Sequence, residues 1–507
     1  SACNVMCGKW CTFLYCLIAG ASAATNDYYT AGVVEFRPEI AGATSAQLLA
    51  ENLSAYLQLI AAANGTADII VFPEATLNSL LQLTTVPEPN AAHSLCRHEE
   101  VSTTEDFVRQ LACAAVEGKT YLLFNVKERE DCERLVDLDC PARGYRVFNT
   151  NVVIDRSGAI VSRYRKWNLY VEPQLNRTAT PEFGIFETDF NVTFGHFVCF
   201  DMLFYTPAQE LVDRFHIRNV IVTKMFNSEL PFLTASQLQQ GWAWTNNVNL
   251  LAAGASLPHG GITGSGIYAG QRGALARRMV GDNGTVGVRQ LLLARVPRTP
   301  DAAAADMLPV DVERRGPEQL QLVMLQQPQL QDFNSWPVAL QNGSLQQRRL
   351  CHTDLCCSFE LSLQLDAAAM QRYDYVYRLG VFVGQRSYEE AQHSAIRVCG
   401  VFACRNASVE SCGQLRPPSP AAGEPATPLQ LPRFNMLRVS GEFVQRSRRQ
   451  LMPSTLSVSL YALQASELLW SMPQAGDESP ATWVQLQLLK PHSQLLTFGI
   501  YGNYFDE

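Results

Sequence analysis

Up to about residue 297 the chain alternates short apolar runs with longer segments whose apolar residues recur at helical spacing. Tyr29–Phe36 (YTAGVVEF), Ala67–Phe72 (ADIIVF), Thr120–Val126 (TYLLFNV), Asn219–Lys224 (NVIVTK) and Val248–Ala253 (VNLLAA) are almost continuously apolar. Such runs predict strands buried on both faces, as in a parallel sheet. Between them, Gln47–Ala62 carries Leu48, Leu49, Leu53, Tyr56, Leu57 and Ile60 on one helical face, and Asp106–Glu117 and Ala235–Asn247 predict further helices. Val147–Ile154 and Ala159–Tyr164 flank Asp155-Arg156-Ser157-Gly158, a hairpin signal. The alternation predicts an α/β sandwich.

The character changes beyond Pro297–Gly316, a linker candidate with prolines near both ends and a run of small residues between. Leu320–Leu330, Phe359–Leu365, Tyr375–Val383 and Leu437–Leu463 show strand-like alternation, and Pro417–Pro432 reads as a surface loop. We expect one domain over 25–300 and a second, mostly β domain over 301–507. Residues 1–24 read as a secretory leader: Lys9 supplies the positive charge, Trp10–Ala19 the apolar core, and Ala21-Ser22-Ala23 the cleavage signal.

Composition narrows the partners. A net charge of −8 with no basic run makes nucleic acid an unsuitable ligand. No other stretch approaches the apolar length of a membrane span, and the C-terminal LLTFGIYGNYFDE is too polar for a lipid-anchor signal, so no membrane anchor is evident and secretion is expected. Seven N-x-[ST] sequons, at Asn52, Asn64, Asn176, Asn191, Asn283, Asn342 and Asn406, point to a glycoprotein. Removing the leader leaves eleven of the 15 cysteines, an odd number in an oxidising compartment. Setting Cys199 aside leaves an even ten; Cys113, in a predicted helix, could equally be the free thiol. Cys132 and Cys140 could close a short loop with each other or pair elsewhere.

Candidate chemistry sits at the ends of predicted strands, where an open α/β sheet places its reactive groups. In FGHFVCFDMLFYTPAQE an apolar run ends at Cys199, and Thr206, Pro207 and Gln209 form a capping box that predicts a helix start. Glu74 follows the strand ADIIVF directly, and Lys166 ends the second strand of the predicted hairpin. Each alone is more often a core thiol, a loop carboxylate or a solvated lysine. His196, three residues before Cys199, lies on the opposite face of a strand and is a poor partner for it. The glycine-rich Pro258–Gly270 lacks phosphate-loop spacing and reads as tight turns. No His or Cys spacing matches a metal site, and no cofactor motif is present.

Together the contexts FPEATLN, YRKWNLY and FVCFDMLF resemble the carbon–nitrogen hydrolase (nitrilase) superfamily, which carries glutamate, lysine and cysteine in that order. CFDMLFYTPAQELVD, NVNLLAAGAS and TGSGIYA are similar to its vanin and biotinidase branch. The resemblance implies a four-layer αββα sandwich followed by a smaller β-rich C-terminal domain. It assigns Glu74 as general base, Cys199 as nucleophile and Lys166 as stabiliser of the thiolate and oxyanion, with the backbone N–H of Phe200 assisting. Glu172 matches the glutamate that buttresses the lysine, one residue closer than the branch spacing, and Lys224-Met225-Phe226-Asn227 replaces the branch's proline-threonine-alanine-tryptophan run. The implied activity is hydrolysis of a vitamin amide without a cofactor. Pantetheine stands first and biocytin second; an inactive binding glycoprotein and acyl transfer to an amine are the competing readings.

Overall fold

The computed structural model describes residues 27–506 except 43, 98–105, 282–285, 301–321, 323, 367–372, 389–391, 417–429 and 474–479. The predicted leader, most of the predicted linker, the sequon at Asn283 and most of the proline-rich loop lie outside the described residues.

The first half of the chain runs β1 (Tyr28–Phe36), α1 (Ser45–Ala63), β2 (Ile69–Val71), α2 (Asp106–Gly118), β3 (Tyr121–Asp131), β4 (Tyr145–Ile154) and β5 (Ile160–Arg165). It continues through β6 (Gly184–Glu187), β7 (Thr193–Val198), α3 (Glu210–Asp213), β8 (Asn219–Lys224), β9 (Glu229–Leu230), α4 (Ala235–Asn246), β10 (Asn249–Ala255), β11 (Ser265–Ala269), β12 (Ala274–Arg278) and β13 (Arg289–Pro297). One hydrogen-bonded sheet has the order β5-β4-β3-β2-β1-β10-β8-β7-β6, with β13 on β1 and β11 and β12 branching from β10. The sheet doubles over at the β1–β10 pair, where the strands pair only Glu35 with Gly254 and Phe36 with Ala255.

Side-chain alternation shows why it doubles. Ala31, Val33, Ile69, Val71 and Leu123 from one half pack against Phe194, Ile221, Leu251 and Ala253 from the other. The alternate residues of the first half, Val34, Phe36, Ile70 and Phe72, pack under α1 and α2. Those of the second half, Val220, Val222, Leu250 and Ala252, meet Trp242 of α4. Strands apolar on both faces require two covers, and the result is the four-layer αββα arrangement.

The C-terminal region comprises β14 (Leu325–Gln326), β15 (Asn334–Pro337), β16 (Gln346–His352), β17 (Leu355–Gln364), β18 (Val376–Tyr388), β19 (Gln392–Cys404), β20 (Arg433–Val444), β21 (Arg449–Ser457), β22 (Leu468–Ser471), β23 (Ala481–Leu488) and β24 (Leu495–Tyr504). Two five-stranded sheets, β15-β18-β19-β24-β21 and β16-β17-β20-β23-β22, enclose one apolar core. Cys357–Cys399 bridges them, and Cys351–Cys356 and Cys404–Cys412 close shorter loops. Among the described residues of the expected strand at Leu320–Leu330, Leu325–Gln326 form β14, which pairs in parallel with β9 of the first domain.

The two domains dock closely. Ser236 and Gln240 on α4 donate to the carbonyls of Leu460 and Leu463 at 2.6 and 2.5 Å. A Cβ on Gly241 would stand 2.7 Å from the Pro453 carbonyl oxygen, so only glycine lets the helix approach β21 this closely. Among the described residues no helix is long and apolar enough to cross a membrane.

Two sequence expectations are corrected here. The helix does begin after Thr206, whose φ of −99° and ψ of 126° are non-helical, but it opens with a wide turn through Gln209 before the four residues of α3, and the expected capping box does not form. Thr206 Oγ1 donates to Glu210 rather than capping, and Gln209 turns toward Asp213, Asn246 and Gln450. Asn52 is 3 % exposed, and its amide bonds Glu39 and Leu77, so this sequon has no room for a glycan in the fold. Asn64, Asn191, Asn342 and Asn406 are exposed and Asn176 is half-buried.

Candidate active site

The parallel strands deliver their C-terminal ends to one edge, and Glu74, Lys166 and Cys199 converge there. Glu74 follows β2, Lys166 follows β5 and Cys199 follows β7; they are 4 %, 3 % and 8 % exposed. Lys166 Nζ donates to Glu74 Oε1 at 2.8 Å and to Glu172 Oε2 at 2.7 Å. Glu172 therefore meets the lysine despite the shortened spacing. Asn149 on β4 bridges the same two carboxylates, its Nδ2 lying 2.7 Å from Glu74 Oε1 and 2.8 Å from Glu172 Oε1. The other Glu74 oxygen accepts from the Met225 backbone N–H at 2.9 Å. Lys127 on β3 stands 3.7 Å from Glu172.

This charge arrangement sets the resting protonation. Burial alone would raise the Glu74 carboxyl, but the Lys166 and Lys127 charges and its hydrogen bonds outweigh it and hold the group at about 2. Burial alone would lower the Lys166 ammonium; Glu74, Glu172 and Cys199 reverse that and raise it. Burial and the neighbouring Glu74 charge push the Cys199 thiol well up, against the pull of Lys166. The centre rests as carboxylate, ammonium and neutral thiol.

Cys199 sits at φ +47°, a left-handed conformation unusual for a non-glycine residue, at the turn from β7 into the short 3-10 turn Cys199–Leu203. Asp201 anchors that turn: its Oδ2 accepts from Tyr164 Oη at 2.7 Å and the Val198 N–H at 3.1 Å, and its Oδ1 from the Asn168 backbone and side-chain nitrogens at 2.8 and 2.9 Å. Burial nevertheless raises its carboxyl to about 6. Among the described residues Cys199 is a free cysteine, and the other ten cysteines there pair as Cys96–Cys113, Cys132–Cys140 and the three C-terminal bridges. His196 points away, bonded to Ser162 at 2.8 Å, and burial drops its imidazole to about 3.

Cys199 opens into a cavity of about 410 Å³, within the usual range for small-molecule sites, roughly 300–1,000 Å³. Tyr170, Phe200 and Phe226 line it from the first domain, Gln326 and Tyr388 from the second. The Phe200 ring lies 4.9 Å from Tyr170 and 5.1 Å from Tyr388. Arg386 of β18 pairs with Glu229 of β9 across the domain boundary, and both line the same cavity.

Asn149, Lys127 and Asp201 were not singled out in the sequence. The available signal for Asn149 was amide side chains at alternate positions, Asn149 and Asn151, between the apolar pairs Val147-Phe148 and Val152-Val153 of β4. Buried polar residues on one strand face imply a hydrogen-bonded interior, and here Asn125 links them at 2.7 and 3.1 Å.

Comparisons with known proteins agree with this geometry. The carbon–nitrogen hydrolase family model matches residues 30–209, and the vanin C-terminal domain model matches residues 322–507. The protein is a carbon–nitrogen hydrolase. Within that class the chain belongs to the vanin family: it is 55 % identical to Vanin-like protein 3 of Drosophila melanogaster over 503 residues, covering 98 % of this chain and 93 % of the relative. It is 28 % identical to human Pantetheinase, over 86 % of this chain and 85 % of that protein, and 29 % identical to rat Biotinidase, over 76 % and 80 %.

Proposed function

We propose that this chain is a secreted amidohydrolase that cleaves pantetheine to pantothenate and cysteamine through a thioester on Cys199. The observation that carries the reading is Lys166 clasped between Glu74 and Glu172, beside a free cysteine held in a left-handed turn at the cavity.

In this reading Cys199 Sγ attacks the amide carbonyl while Glu74 takes the thiol proton. With the carboxyl held low and the thiol high, a standing thiolate is disfavoured, so proton transfer accompanies attack. Lys166 and the Phe200 backbone N–H face the tetrahedral oxyanion. Glu74 then returns the proton to the departing amine, which leaves as cysteamine. Glu74 next takes a proton from water as that water attacks the thioester, and it passes the proton to the departing Cys199 sulfur, which releases the acid and restores the free thiol.

The cavity supports a neutral acyl chain. Its walls are aromatic and aliphatic, and its charged lining residues, Arg386 and Glu229, neutralise each other. Pantetheine offers hydroxyl and amide groups and no charge on its acyl side. The longer match to Pantetheinase than to Biotinidase favours the same choice. Five disulfides favour an oxidising compartment. Amine release from pantetheine and from biocytin, with Cys199→Ala alongside, tests the proposal. Turnover of pantetheine that vanishes in the variant is expected. Turnover of biocytin alone would replace the substrate, and no turnover of either by a Cys199 inert to thiol reagents would overturn the enzyme reading.

A further inference from the structure

The segment Lys224–Asn227 departs from the branch pattern, and the catalytic steps above use only the Met225 backbone from it. Its first residue occupies a specific place. The register of β7 on β8 pairs Val198 with Thr223, so Cys199 and Lys224 follow side by side at the two strand ends. On the next strand Lys224 pairs with Gly254, and Gly254 in turn pairs with Glu35 of β1. Cys199, Lys224, Gly254 and Glu35 thus form one row across four adjacent strands, at the fold of the doubled sheet.

Gly254 is the gap in that row. A Cβ built there would lie 2.8 Å from Lys224 Nζ, so the ammonium occupies the space a side chain would fill. Beyond the gap, Glu35 is 0 % exposed and held by the Thr263 and Ser265 hydroxyls and by the Gly264 and Ser265 N–H groups. Four donors fix its carboxylate in place on the far side of the gap from Lys224. The glycine-rich TGSG stretch therefore builds a carboxylate cradle, which explains a motif the catalytic steps leave unused.

We propose that Lys224 is a further buried ammonium of the catalytic centre, facing Glu35 across the gap at Gly254, and that it favours the negative charge as it moves onto the Cys199 sulfur. It acts through the nucleophile and is a positioning residue. Lys166 faces the carboxylates Glu74 and Glu172, whereas Lys224 approaches along the row of strand ends. The charged and titratable groups facing it are Glu35 from β1, Glu74 after β2 and Cys199 after β7. Burial lowers its ammonium to about 8, against the pull of those three, so it carries its charge at neutral pH.

The test is the rate at which iodoacetamide alkylates Cys199, followed by peptide mass across pH 5–10 in the full chain. This readout does not depend on which amide is the substrate. Lys224→Met should slow alkylation about tenfold at pH 7 by moving its pH midpoint upward. Gly254→Ala keeps the charge but displaces it, and should shift the midpoint the same way by less. Kinetics on pantetheine should show the loss in kcat with KM held. A midpoint unchanged in both variants, with melting temperatures equal to wild type, would overturn the proposal; so would a loss confined to KM. If Lys224→Met fails to fold, the Gly254→Ala midpoint decides.

Discussion

Asn149 is the least obvious member of the centre, and its removal should be costly in a calculable way. One amide nitrogen serves two carboxylates, at 2.7 Å from Glu74 and 2.8 Å from Glu172, in a residue 1 % exposed. Hydrogen bonds to charged groups contribute about 1.5–3 kcal/mol each. Allowing for solvent entering the space left by Asn149→Ala, the loss should be about 3 kcal/mol. For a domain of this size that is a fall of about 6–12 °C in melting temperature. The same change releases the orientation of Glu74 and Glu172 around Lys166, and misplacement on the ångström scale lowers kcat about 100-fold. Asn149→Asp sharpens the test, because it keeps the shape and sets a third carboxyl against the other two. The new carboxyl should titrate high, so the variant should be weakest at neutral pH and recover as acid protonates it. Calorimetric melting and steady-state amine release check both variants. A melting temperature within about 2 °C of wild type and a kcat within about threefold for Asn149→Ala would refute the reasoning.

Lys127→Met removes a cation that holds the Glu74 carboxyl down; the carboxyl should rise, and the acid limb of kcat/KM should move to higher pH by about one unit. An unmoved limb would show that Lys166 alone sets the base. Arg386→Met combined with Glu229→Gln removes the cross-domain pair without leaving a buried charge unpaired. It should raise KM about tenfold with kcat largely kept, if the C-terminal domain shapes the cavity rather than the chemistry; a kcat loss with unchanged KM would place the pair in the catalytic steps.

Much of the fold was legible because its strands are covered on both faces. A run such as Ala67–Phe72 has no polar side to confuse with a surface, and the residue where it stops, Glu74, stands at the sheet edge. Lys166 and Cys199 were legible for the same reason. The capping box after Cys199 was misread because Thr206, Pro207 and Gln209 satisfy a local sequence rule, while Glu210 takes the Thr206 hydroxyl and Asn246 and Gln450 hold the Gln209 side chain. Asn52 was counted among the sequons although it lies among Leu49, Leu53 and Tyr56 on the buried face of α1; the helical period already placed it inward. The Cys96–Cys113 bridge was not legible, since spacing cannot show which loop α2 passes. Lys127 was hidden because a lysine at the end of an apolar strand looks like any solvated edge residue.

The two domains divide the work unequally, and four residues join their shares. The first domain holds Glu74, Lys166 and Cys199 on its folded sheet; the second adds Gln326, Arg386 and Tyr388 to the cavity wall. Lys224 lies in the strand-end row with Cys199, and the Met225 N–H bonds Glu74. Phe226 and Asn227 face the cavity, and β9 follows at once to pair with β14. A change of sequence in this stretch therefore reaches the charge at the nucleophile, the anchoring of the base and the cavity lining together. On the proposed mechanism, substitutions here would alter the cavity lining and the electrostatics at Cys199 as a unit, because one strand end supplies both.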